Sequence, residues 1–162
     1  MTNPNPATSP QLVNGLVDVW QAETQVAYRL DEWLVRFLRG FGGVDAAAVG
    51  TVRSRYYRAR HRVHAHVRTL GRAVVRLPMV AERAPDGSPD AAARGLQRLY
   101  SDLSRANRRL EAVSAAARRQ RDFACLRALS ELHEAHVDTL DLLRALFQRG
   151  QELSREALLE VA

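Results

Sequence analysis

The sequence predicts an all-α protein: an antiparallel four-helix bundle of long helices with a short C-terminal helix. Three observations predict it. Apolar residues recur at steps of three and four through four long segments, so each segment presents one apolar helical face. Clusters of Gly and Pro fall between segments, at 40–43 and 78–89. Ala, Leu and Arg dominate, and strand-type apolar runs are absent.

Residues 1–10, with three prolines and small polar side chains, read as a tail ahead of a single domain at 11–162. Helix 1 is expected from about Gln11 to Arg39. Its stripe is Leu12, Leu16, Val19, Glu23, Val26, Leu30, Trp33 and Phe37, and a second row from Val13 to Leu38 widens the apolar face. A face this broad asks for partners on two sides, which implies a homo-oligomer or another protein partner. Gly40, Gly42 and Gly43 end the helix.

Helix 2 is expected from Asp45 to Leu77, stopped by Pro78. Its stripe runs Val49, Val52, Tyr56, Ala59, Val63, His66, Leu70, Ala73 and Leu77. The short turn between helices 1 and 2 predicts a hairpin. Ser88-Pro89-Asp90 is a helix start, with a cap, a proline at the first position and an early acid. Helix 3 then carries Leu96, Leu99, Leu103, Ala106, Leu110, Val113 and Ala117.

No Gly or Pro separates helices 3 and 4, so one continuous rod is the alternative to four separate helices. The stripe loses phase between Ala117 and Leu126, which favours a break at Arg118–Asp122 with Asp122 as the next cap. Helix 4 is expected from Phe123 to Gly150, on a stripe of Leu126, Leu129, His133, His136, Leu140, Leu143 and Phe147. A short helix capped by Ser154 follows.

All 24 basic residues are Arg, against 18 acids, for a net charge of +6. The excess lies in the middle of the chain: residues 44–83 carry +7 and 90–122 carry +4, whereas helix 1 and helix 4 with its tail are acidic. Two readings stay open. A cationic ridge along helices 2 and 3 would bind a polyanion, nucleic acid or polyphosphate, through Arg53, Arg58, Arg60, Arg62, Arg68, Arg72, Arg76, Arg105, Arg108, Arg109, Arg118 and Arg119. Alternatively, the basic helices pair with the acidic ones.

Glu23, His66, His133 and His136 fall on apolar stripes. Hairpin geometry at ~1.5 Å per residue allows them to share a layer with Tyr100. Neutral imidazoles and a carboxylate there would ligate Zn, Fe or Mn; the other reading is a hydrogen-bonded polar layer that fixes helix register. The plan resembles metal-bearing ferritin-like bundles, and also the DinB-like bundles. It departs from the Glu-x-x-His motif of the first, since His133-x-x-His136 stands here, and from the histidine spacing of four usual in the second. Gly50–Tyr57 resembles the recognition helix of bacterial helix-turn-helix repressors over fewer than ten residues. No role is carried over from any of these.

No phosphate loop, nucleophile elbow or dinucleotide fingerprint is present, so the sequence favours a binding protein over an enzyme. Cys125 stands alone and fits a reducing compartment. With no signal-peptide pattern and no membrane-length apolar run, the expectation is cytoplasmic.

Overall fold

The computed structural model describes residues 9–40, 46–69 and 89–160. They form four helices: α1 (Pro10–Gly40), α2 (Ala46–Thr69), α3 (Pro89–Arg119) and α4 (Phe123–Glu160). No strand occurs among the described residues. The protein is an all-α four-helix bundle.

Helix ends follow local chemistry. Ser9 caps α1: its hydroxyl accepts from the Leu12 N–H at 3.3 Å, with Pro10 at the first helical position. The break at 118–122 is real. The Asp122 N–H donates to the Ala117 carbonyl and the Arg121 N–H to the Arg118 carbonyl, both at 3.1 Å, which is the Schellman pairing. Arg121 occupies the left-handed position with φ 55°, where Gly is usual. Asp122 then caps α4, accepting from the Cys125 N–H at 2.9 Å. The Gln120 side chain bonds to Ser9, through the Ser9 N–H at 3.2 Å and through the Ser9 hydroxyl, tying this turn to the start of α1.

The expected end of helix 4 at Gly150 is corrected. α4 continues to Glu160, and Ser154 begins no separate helix. A single interior glycine costs a helix only about 1 kcal/mol relative to Ala, and Gly150 is buried within it. Leu70 to Leu77 of the expected helix 2 lie outside the described residues.

Chain direction is fixed by side-chain pairs. In α1, Trp20, Thr24 and Asp31 meet His64, Arg60 and Arg53 of α2, so the two run antiparallel. Gly15 and Arg29 meet Val113 and Asp102 of α3, again antiparallel. In α4, Asp122, Glu131 and Asp138 meet His66, Arg62 and Arg55 of α2. Backbones approach in the pairs α1–α2, α2–α4, α4–α3 and α3–α1, and α2 and α3 are not neighbours. They stand on a diagonal and run parallel.

Hence the hairpin geometry that would set His66 in one layer with Tyr100 is corrected for helices 2 and 3. α2 ends beside the α3–α4 turn, while α3 starts beside Trp33 near the far end of α1. Thr69 and Pro89 therefore stand at opposite ends of the bundle.

One continuous core fills the centre. At Gly15 a Cβ would meet Val113 Cγ2 at 2.8 Å, so the glycine lets α1 and α3 approach. Both rows of α1 turn inward: Val13, Ala27 and Leu34 of the second row are buried within the chain. On α4 the buried line is Cys125, Leu129, Leu132, Ala135, His136, Thr139, Leu143 and Leu146. That is rotated from the sequence stripe, because α4 packs on α2 and α3 together and its buried face centres between them. No helix among the described residues is long and apolar enough to cross a membrane.

The strained left-handed Arg121 generates a prediction. Arg121→Gly should stabilise the protein by up to about 1 kcal/mol, since a left-handed L-residue costs roughly 1–2 kcal/mol and Gly does not. For a chain of this length that is a Tm rise of about 2–4 °C in a thermal melt; an unchanged or lowered Tm contradicts it.

Candidate functional site

The core holds a polar string drawn from all four helices. Glu23 of α1 and His136 of α4 are fully buried, with His136 Nε2 2.9 Å from Glu23 Oε1. Neither atom has an aligned hydrogen-bond partner, so the contact is a close approach of imidazole and carboxylate rather than a well-formed hydrogen bond. Tyr56 of α2 donates its hydroxyl to Glu23 Oε2 at 2.8 Å. Burial, then the Glu23 charge, pushes the Tyr56 phenol well above its ordinary pKa, so it remains a donor. Asn107 of α3 completes the string: its Oδ1 lies 3.1 Å from His136 Nδ1 and 2.9 Å from His133 Nδ1.

The four sequence-derived metal candidates separate here. Glu23 and His136 touch, and His133 joins them through Asn107. His66 stands elsewhere: it is ten residues beyond Tyr56, about 15 Å along α2. There its Nε2 lies 3.3 Å from Asp122 Oδ2. Tyr100 is exposed and takes no part in the layer. Asn107 and the polar use of Tyr56 are missed by sequence periodicity. The available signal is the position of Asn107, next to Ala106 on the α3 stripe.

His66, Asp122 and Cys125 form the second cluster. It is the group of three potential ligand side chains whose atoms lie within 4.8 Å of one another among the described residues. Cys125 is fully buried, and burial, reinforced by Asp122, pushes its thiol up to about 12. Beside it lies an open cleft of about 580 Å³ between α2 and α4, walled by Arg62, His66, Thr69, Ala124, Arg127, Ala128 and Glu131.

The arginines divide by helix. On α2, Arg53 bonds Asp31 at 2.7 Å, Arg55 reaches Asp138 at 2.5 Å and Glu134 at 3.2 Å, and Arg62 pairs with Glu131. Burial pushes the Asp31 carboxyl up, but its bonds from Arg53 and Tyr57 outweigh that and leave its pKa lowered. Arg60 donates to Thr24 and lies over the Trp20 ring at 4.1 Å, while His64 stacks on that ring. Arg58 reaches only the Ser54 carbonyl, at 3.4 Å, and Arg68 is exposed. Arg72 and Arg76 lie outside the described residues.

On α3 the picture reverses. Arg94, Arg105, Arg108, Arg109, Arg118 and Arg119 are exposed, and among the described residues none has an acid within ion-pair reach. Because α2 and α3 are diagonal, their arginines do not make one ridge. Comparison with protein-family models, curated proteins and solved structures finds no match to this chain.

The burial of these groups has three measurable consequences. His136→Ala should cost about 3–5 kcal/mol in urea unfolding, because it strands Glu23 in the core. The double variant Glu23→Leu, His136→Leu should cost clearly less than the two single leucine variants added together; strict additivity would show that the pair is uncoupled. The Cys125 thiol should react with an aromatic disulfide at pH 8 only after unfolding. Rapid labelling of folded protein contradicts its burial.

Proposed function

We propose that this chain is a binding protein that holds a polyanion along the outer face of α3. The observation that carries this reading is the exposed row of Arg94, Arg105, Arg108, Arg109 and Arg119, which pairs with no acid among the described residues. At 100° per residue these positions fall within about 100° of arc, opposite the buried Leu99, Leu103 and Leu110. They extend over about 38 Å of helix. Arg98 lies on the same face. The arginines of α2 contribute less, since Arg53, Arg55 and Arg62 are already matched by acids of α1 and α4 and Arg60 is held by Thr24 and Trp20.

Guanidinium forks match phosphate oxygens, and exposed arginines not engaged in an ion pair lose little on engaging them. The row offers no device for reading bases, so the ligand is recognised by its charge repeat: nucleic acid of any sequence, or polyphosphate. Self-association through α1 has less support, because Val13, Ala27 and Leu34 are covered within the chain.

Five phosphate contacts give a salt slope of about −4.5 on duplex DNA, so affinity should fall a few hundred-fold between 50 and 200 mM salt. Titration of a labelled duplex and of a polyphosphate chain measures this. Arg105→Glu, Arg108→Glu and Arg109→Glu together should weaken binding equally for unrelated sequences, and Arg53→Glu should do so far less. No binding at low salt, a flat salt response or an inert α3 triple variant would each refute the reading.

A further inference from the structure

At the end of the bundle where α2 finishes and α4 begins, three different donor types converge. His66 offers a ring nitrogen, Asp122 a carboxylate oxygen and Cys125 a thiol sulfur, all within 4.8 Å of one another. The geometry points to a zinc(II) site with these three side chains as ligands and an open fourth position.

Several features support it. His66 Nε2 and Asp122 Oδ2 are 3.3 Å apart. Two ligands at ~2.1 Å on a tetrahedral zinc stand about 3.4 Å from each other. Asp122 divides its oxygens: Oδ1 takes the Cys125 N–H at 2.9 Å, which orients the carboxylate, and Oδ2 faces the imidazole. A fixed carboxylate of this kind is what a metal ligand requires. The mixed nitrogen, oxygen and sulfur set suits zinc or cobalt and is poor for magnesium or calcium.

Charge also fits. On binding, the Cys125 thiol gives its proton to solvent and its sulfur bonds the metal. With the Asp122 carboxylate, the thiolate balances the two positive charges of zinc. Arg62 and Arg127 stand at the adjacent cleft, but both face Glu131, which offsets them. His66, Ala124 and Ala128 help wall that cleft of about 580 Å³, so a small ligand or water has a route to the fourth position. The site is independent of the α3 arginine row, and each proposal can fail without the other.

The chain has one cysteine, so any thiolate-to-metal signal reports this site. The test is a cobalt(II) titration of the full chain, followed by zinc. Saturation at one equivalent with a thiolate-to-cobalt charge-transfer band and intense tetrahedral d–d bands, both erased by zinc, is expected. Cys125→Ser should abolish the charge-transfer band, and His66→Gln should weaken zinc binding at least tenfold. His61→Gln, on the exposed side of α2, should change neither. Absence of one-to-one binding at micromolar metal, a spectrum without the sulfur band in the unaltered chain, or loss in His61→Gln equal to that in His66→Gln overturns the proposal. The spectrum of the unaltered chain decides even where a variant fails to fold.

Discussion

The buried contact between Glu23 and His136 is the constraint on which the arrangement depends. Removing a carboxylate from water costs several kcal/mol unless other groups replace the solvent. Here Tyr56 of α2 donates to one carboxylate oxygen, His136 of α4 stands against the other, and Asn107 of α3 meets His136 in turn. A slide of any helix by one turn would leave at least one of these groups without its partner. Leucine contacts, by comparison, survive such a slide with modest loss. The apolar core therefore supplies the driving force, while the polar string selects one register. It also joins α1 to α4 across a diagonal where the backbones are not neighbours.

The same diagonal arrangement governs the surface. α2 lies between α1 and α4, the two acidic helices, and its arginines find Asp31, Glu131, Glu134 and Asp138. Exposed pairs of this kind contribute at most about 1 kcal/mol each. Their larger effect is to match α2 to its neighbours and to neutralise that side of the molecule. α3 also sits between α1 and α4, yet its charge is placed on the face turned away from both. Identical side chains thus serve two ends. Those flanking a helix seam are consumed by it, and those opposite the seam are left to solvent.

Much of the fold is legible in the sequence because its causes are local. The three- and four-residue periodicity places the helices. Asp122 and the loss of phase after Ala117 mark the break, and the Schellman pairing there is made by atoms within six residues. Gly150 misleads because a glycine's helix penalty is small against the burial of a continuous α4. The face of α4 is off by about one residue because periodicity locates a stripe but not the two neighbours that centre it.

The sites are less legible, and the reason is topological. Glu23, His133 and His136 stand out as polar groups on apolar stripes, and the structure gathers them. His66 stands out for the same reason but lies with Asp122 and Cys125, since the parallel placement of α2 and α3 alters the heights that an all-hairpin bundle implies. By itself the sequence determines four amphipathic helices, their stops and the segregation of charge, all set by interactions within a few residues. Only the tertiary structure decides which helices are neighbours, which polar groups meet and which arginines stay free, because those depend on contacts between segments far apart in the chain.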